Sequence, residues 1–218
     1  MKHLYSSVSV TVLFCLSFWF VPATAQETDV SASAGFLLGT LDIGSEYDYS
    51  IDGFDNEIDI ADDVRTVYLS ARQNLSSVAG SGVFIEGGLL LPFNVKADAE
   101  YYYEGALIAN LNVTYDFNTS YGFGVGYGVD LGNFDVSAAA GLLGWSMDVS
   151  LESNVTADAT AKDGGTSMYT HFKAETILFD SVNVQAGYFS TTFSSDGNFI
   201  ANDEARLGSF TILAGIDF

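Results

Sequence analysis

Cysteine is nearly missing from this chain: its 218 residues hold one, Cys15. Bases are scarce, with seven Lys and Arg against 28 Asp and Glu, and proline occurs twice. No apolar run beyond residue 25 reaches the roughly 20 residues that a membrane-spanning helix needs. Each shortage excludes something. Cys15 lies in MKHLYSSVSVTVLFCLSFWFVPATAQ, which has a basic start (Lys2, His3), an apolar run from Val8 to Phe20, Pro22, and the small-residue pattern Ala23-Thr24-Ala25. That is the pattern of a secretory signal peptide cut after Ala25, and the apolar run is too short for a spanning helix. Phe14 stands where lipidation of Cys15 would require a small residue. The expected mature domain, residues 26–218, therefore has neither disulfides nor thiolate metal sites. Lys2 is the only charged Lys, Arg, Asp or Glu before residue 26, so the mature formal charge is 6 − 28 = −22. Such a chain repels nucleic acid, and that function class is excluded.

What is abundant is aromatic residues and glycine: 17 Phe, 12 Tyr and 22 Gly. They fall in segments of about ten residues that alternate apolar and polar, separated by polar breaks, as the strands of a membrane-spanning β-barrel do. SFTILAGIDF at the carboxyl terminus sets Phe210, Ile212, Ala214, Ile216 and Phe218 on one face. Val64–Leu75 opposes Val67, Leu69 and Ala71 to Tyr68, Ser70 and Arg72, and the segment after it opposes Val83, Ile85, Leu89 and Leu91 to Phe84, Glu86 and Gly88. Val95–Tyr103 and Leu107–Phe117 alternate too, with Asn110 and Asn112 on the polar side of the second. In Tyr121–Leu131 the apolar face is opposed by four alternating glycines, Gly122 to Gly128, which leave room for bulky groups such as Tyr169 or Phe189. Met168, Phe172, Ala174 and Leu178 alternate with Tyr169, His171, Lys173 and Glu175.

The expectation is an all-β fold, a closed antiparallel transmembrane barrel of eight to ten strands. From a periplasmic carboxyl terminus, the regions near Ser194–Gly208 and Leu151–Gly165 become outer loops. Phe179–Ser181 and Gly132–Asn133 become periplasmic turns. Counting all five candidates between Asp42 and Asp135 gives ten strands; dropping two gives eight. A soluble β-sandwich or lipocalin-like barrel would turn the polar set of side chains outward. The set assigned to the interior, Arg72, Glu86, Lys173, Glu175, Asn110, Asn112 and Gln185, makes a poor soluble core but a sensible lumen.

Two groups of side chains are candidate sites. Arg72, Glu86, Lys173 and Glu175, with His171 beside them, form either a salt-bridge plug or the lining of a selective pore, since unpaired burial of each charge is costly. Leu41–Asp63 is acidic and free of bases, with Asp48, Asp52, Asp55, Glu57, Asp59, Asp62 and Asp63 among its carboxylates. It reads as a hairpin projecting outward. Oxygen ligands suit calcium or magnesium, but the spacing is not that of an EF-hand. Solvated repulsion is the plain alternative to divalent bridging toward lipopolysaccharide phosphates or a host surface. No cofactor, metal or catalytic constellation is expected. His171 is the only histidine after residue 25, and THFKAE holds no serine at a suggestive spacing.

The signal peptide, the cysteine-free mature chain, the alternating segments and the terminal Phe218 with apolar partners at 216, 214, 212 and 210 resemble small Gram-negative outer-membrane barrels. The broad relatives are the OmpA/OmpX-type transmembrane domains, which GLLGWSMDVS (Gly141–Ser150) resembles more loosely. The resemblance implies an outer-membrane location among lipid and lipopolysaccharide. It also implies that the last strand, Phe210 to Phe218, is the signal read by the barrel-assembly machinery. The resulting expectation is a non-enzymatic barrel with a role in envelope integrity, adhesion or surface interaction, the alternatives being a small cation-favouring pore or solute channel and, behind it, a barrel enzyme.

Overall fold

The computed structural model describes residues 30–42, 54–59, 61–78, 81–103, 106–154, 158–179, 181–194 and 204–218. Alternating side chains are what a pleated strand sorts onto two faces, and every described segment forms one. In chain order these are β1 (Val30–Asp42), β2 (Phe54–Asp59), β3 (Ala61–Val78), β4 (Ser81–Leu90), β5 (Phe93–Tyr103) and β6 (Ala106–Phe117). β7 (Ser120–Asp130), β8 (Asp135–Ser153), β9 (Ala159–Phe179), β10 (Val182–Ser194) and β11 (Glu204–Asp217) follow. All pairings are antiparallel, and the ring β8-β7-β4-β3-β1-β11-β10-β9 closes where β8 meets β9. The seam of the chain's two ends is the β1–β11 ladder, running from Ser31 opposite Asp217 to Asp42 opposite Arg206.

The ring has eight members, the lower end of the expected bracket. A count of ten would make Val95–Tyr103 and Leu107–Phe117 separate crossings. Instead β5 continues β4 beyond Leu91 and Pro92, and β6 runs into β7 across Asn118 and Thr119. The registers show it: Leu90 lies opposite Ser120 and Phe93 opposite Phe117, so both pairs of strands step over the same level together. Pro92 has no amide to give a ladder, which suits it to this interruption. β2, β5 and β6 thus stand as extensions of β3, β4 and β7. With the upper parts of β8 and β9 they form a wall raised above one side of the ring.

At that step the sorting of side chains inverts. Below it Phe84, Glu86 and Leu90 are buried on β4 and Gly122 to Gly128 on β7. Above it Phe93, Val95, Ala97, Val113, Tyr115 and Phe117 are buried, whereas Asn94, Lys96, Asn112 and Asp116 are exposed. Three steps from one inward residue to the next, instead of two, exchange the faces of everything beyond. The expected lumen positions of Asn110 and Asn112 are corrected accordingly: Asn112 faces outward and Asn110 is half-buried beside Asn154, whose side-chain oxygen accepts its amide at 3.0 Å. β8 keeps one parity throughout, but its outward face changes from Ala138, Ala140 and Leu142 to Ser146, Asp148 and Glu152.

The lower ring wears its large apolar side chains outside. Phe36 is 62% exposed, Phe210 68%, Met168 71% and Phe218 73%. From Phe210 to Phe218 the strand rises about 27 Å along itself, or roughly 20 Å along a barrel axis tilted at about 40°. That is near the ~25 Å apolar band of outer-membrane barrels. A closed ring leaves no backbone donor facing hydrocarbon, the condition lipid sets. The protein is a membrane-spanning β-barrel. A short turn, Leu131 to Phe134, joins β7 to β8, with the Leu131 amide on the Phe134 carbonyl at 3.0 Å and Gly132 at φ 90°.

Candidate functional site: the filled lumen

Inward positions of the ring come from strands too close together to leave a wide channel, and the side chains fill it in layers. At the end of the ring away from the wall Arg72 lies 3.8 Å from Glu175 and 4.0 Å above the centre of the Phe84 ring. Its Nε donates to Asn74 at 3.0 Å. Beside it Gln185 donates to Ser33 Oγ at 2.8 Å, and Asn183 donates to Asp217 at 2.9 Å.

One layer further out, Glu86 is fully buried. One carboxylate oxygen meets the Lys173 ammonium in an ion pair, and the other lies 3.3 Å from His171 Nδ1. His171 Nε2 is 3.1 Å from Thr211 Oγ1. Sequence reasoning placed Arg72, Glu86, Lys173, Glu175 and His171 in one group, and the structure brings them into two adjacent clusters, Glu86 with Lys173 and His171, and Arg72 with Glu175. Within these two clusters two cations meet two carboxylates. Thr211, His171 and Glu86 stand in the order hydroxyl, imidazole, carboxylate of a nucleophile relay. The Thr211 residue is only 1% exposed, so it does not open to a substrate.

Above this lie the rings of Tyr68, Tyr169 and Phe189. Tyr169 stacks on Phe189 with centroids 5.4 Å apart, and Tyr68 meets His171 edge-on at 5.4 Å. The outermost layer is wholly apolar in character. Phe93 stacks on Phe117 at 4.7 Å, Phe117 meets Phe193 at 5.0 Å, and Trp145 meets Phe193 at 5.3 Å. Leu37, Leu41, Leu207 and Met147 pack into the same core. Trp145 satisfies its indole N–H on Ser167 Oγ at 2.9 Å, as a buried indole requires.

The glycines of β7 make this filling possible. A Cβ on Gly124 would sit 2.6 Å from the Tyr169 hydroxyl, one on Gly126 would strike the Phe84 ring, and one on Gly128 would lie 3.0 Å from the Arg72 guanidinium. Of the two bulky neighbours expected there, Tyr169 takes the place; Phe189 stacks on Tyr169 instead. The aromatic seal was not recognised from the sequence as a unit. Its signal was the run of apolar positions on β5, β6 and β8, which share a face only after the inversion.

The acidic stretch divides. Asp48 and Asp52 lie outside the described residues. Asp55, Glu57 and Asp59 belong to β2, where the register sets Glu57 opposite Glu100 and Asp59 opposite Asp98. Asp62 accepts the backbone amides of Asp63 at 2.8 Å and Lys96 at 3.1 Å. This half is therefore a strand of the raised wall. Among the described residues no group of acids and histidines is arranged to hold a metal ion. On the wall's outer face Lys162 meets Asp148 at 2.7 Å, and that hydrogen bond holds the Asp148 carboxyl below its ordinary range.

Phe210, Ile212, Ala214 and Ile216 all point outward from the terminal strand, and Phe210 packs edge-on against Tyr188 at 5.6 Å. The Phe218 amide donates to the Val30 carbonyl at 2.8 Å, fastening the two ends of the described chain.

No family model and no curated protein matches the chain. Among solved structures it is similar to Ail, the attachment invasion locus protein of Yersinia pestis, in complex with the heparin analogue sucrose octasulfate, at 14% identity, 88% of this chain, 100% of that chain and TM-score 0.49. It is similar also to Neisserial surface protein A, at 12% identity, 89% and 99% coverage and TM-score 0.45. A third is the outer membrane protein OprG from Pseudomonas aeruginosa, at 13% identity, 88% and 96% coverage and TM-score 0.41. The closed, single-chain, even-stranded ring described above is the architecture of bacterial outer-membrane barrels.

Proposed function

We propose that this chain is a non-enzymatic, non-conducting outer-membrane anchor that holds an acidic β-wall at the cell exterior for adhesion or another surface interaction. Residues 1–25 direct its export as a signal peptide, residues 26–218 form the barrel, and the terminal strand engages the barrel-assembly machinery. The observation that carries the reading is the double closure of the lumen. Charge pairs fill the periplasmic half, from Arg72–Glu175 to Glu86–Lys173, and the Phe93–Phe117–Phe193–Trp145 layer seals the other. An ion crossing it would have to part rings that are in van der Waals contact. The wall supports the second half of the reading: its outer face is hydrophilic, with Asp116, Asp148, Glu152, Asn94 and Asn112 turned to water.

The barrel reconstituted in a planar bilayer is expected to give no steady unitary current. Sustained stepwise conductance would overturn the closed lumen and establish the pore. Binding of cells bearing the protein to host-type surfaces should fall when Asp116, Asp148 and Glu152 are neutralised together. Unchanged binding would remove the wall's outer face from the interaction.

A further inference from the structure

Asn110 and Asn112 alternate with apolar neighbours as lumen amides would, yet the inversion at Asn118-Thr119 leaves Asn112 outward and Asn110 half-buried. There, toward the end of the wall farthest from the apolar belt, they line a cleft of about 450 Å³. Glu152 and Ser153 of β8, Asn154 just beyond it and Asp158 just before β9 complete the lining. Backbone pairing sets the frame. Asn112 lies directly opposite Glu152, and Leu111 opposite Ser153. One rung further, the Asn110 amide donates to the Asn154 side-chain oxygen at 3.0 Å, and the Asn154 amide donates to the Asn110 carbonyl at 3.4 Å. The Asn154 oxygen is thereby engaged in the frame, and its NH2 group remains to donate elsewhere. Side chains opposed across a ladder stand about 5 Å apart, so Asn112 and Glu152 offer an amide and a carboxylate side by side.

The lining selects a ligand by chemistry. Every side chain in it is polar, which disfavours an apolar guest. The bases described on the wall's outer face do not line it: Lys96 stands opposite Thr114, and Lys162 is held by Asp148. With Glu152 and Asp158 unopposed there, sulfated, sialylated or phosphorylated ligands are repelled. A bare cation fits no better, because the amides present N–H donors that a cation cannot accept. A hydroxyl both donates and accepts, so neighbouring ring hydroxyls can give to the carboxylate and take from the amide beside it. We propose that Asn110, Asn112, Glu152, Asn154 and Asp158 form a binding cleft for an uncharged saccharide, its volume admitting roughly one or two sugar rings. This rests on the reading above that the wall stands at the cell exterior, and it names the ligand class that the wall meets.

The test uses the processed barrel in phosphocholine micelles, which carry no sugar headgroups, with binding read by saturation-transfer NMR. Lactose, maltose and diacetylchitobiose are the uncharged probes, sulfated and sialylated lactose the anionic ones, and spermidine the cation. At least one uncharged disaccharide should bind, and high salt should leave that binding unchanged. The anionic sugars should bind at least about tenfold more weakly than the best of the three. Asn112→Ala should weaken sugar binding about fivefold and Glu152→Ala about tenfold, the carboxylate making the stronger hydrogen bonds. Asp148→Asn, on the same face but outside the cleft, should change nothing. Failure of all three uncharged sugars to bind, equal binding of sulfated lactose, or a double Asn112→Ala, Glu152→Ala variant as avid as the parent would each overturn the site. So would spermidine binding in place of every sugar. Heat-modifiable gel migration reports whether each variant is folded, and if the double variant is not, the single variants decide. Binding is read on the purified barrel without cells or conductance, so this cleft and the anchoring function fail separately.

Discussion

Glu86 and Lys173 are both cut off from water, with side chains 0% and 2% exposed. Replacing Lys173 with Met removes the cation and leaves a carboxylate enclosed and cut off from water. Breaking a buried pair in this way costs about 3–5 kcal/mol, because the surviving charge has lost its compensation. His171 stays 3.3 Å from the other oxygen of Glu86, so the loss should fall near the low end, about 3 kcal/mol. Glu86→Gln alone should cost a similar amount by stranding Lys173. The double variant, Glu86→Gln with Lys173→Met, buries no net charge at the site and should return to within about 1–2 kcal/mol of the parent. The assay is reversible urea unfolding of the barrel in lipid vesicles, followed by fluorescence. Trp145 is the only tryptophan after residue 25 and sits in the seal two layers above the pair, so it reports global opening without being part of the perturbation. If the double variant is as unstable as the sum of the singles, the pair is not coupled and the plug is a matter of packing alone.

Three further outcomes follow from the geometry. Gly126→Ala should destabilise by about 1–3 kcal/mol through the Phe84 ring, and Phe84→Leu in the same chain should recover part of that, as measured by urea midpoint. Ile212→Arg, in the apolar belt, should cost about 2–4 kcal/mol in vesicles, whereas Asn112→Arg, outward on the wall, should cost close to nothing; equal losses would contradict the inversion of sorting at Asn118-Thr119. The Asp148–Lys162 pair supplies a pH dependence. Its folded carboxyl lies below the unfolded value, so its contribution is complete above the ordinary Asp range near pH 4 and is lost as pH falls through the folded pKa. Both side chains are in water, so the contribution is small and salt-screened. Asp148→Asn should abolish that acid-range slope, seen by comparing unfolding midpoints at pH 6 and pH 3.

Period-two alternation made the ring legible from residues alone, because a lipid-facing strand must place apolar groups at every second position. The outward faces of the terminal strand and of Met168–Leu178 could be read in this way. So could the inward assignment of Arg72, Glu86, His171 and Lys173, since one parity holds along each of those segments. Parity fails as a guide where the chain leaves the pleat for a residue. Leu91-Pro92 and Asn118-Thr119 each shift the count, and the sequence on either side alternates equally well. Val95 and Val83 therefore look alike in sequence but face opposite ways, Val95 being buried and Val83 exposed. Long-range partnerships were also beyond local pattern: Thr211 joins His171 from another strand, and Trp145 joins Phe193 across the barrel.

The inversion is itself evidence for where the hydrocarbon ends. A strand in lipid stabilises apolar groups outside and tolerates polar ones within; a strand in water does the reverse. Neighbouring strands β4–β5 and β6–β7 change from the first arrangement to the second at the same rung of their shared ladder. β8 has no break, and it meets the change of solvent by exchanging its outward residues, from Leu142 to Ser146 and Asp148, while keeping Trp145 and Met147 inside. Two different devices therefore mark one level. A boundary set only by chain geometry would have no reason to appear in the composition of the unbroken strand. The coincidence is explained if the solvent changes there, which makes the outward face above the step, from Asn94 and Lys96 to Asp116 and Glu152, a surface built for water.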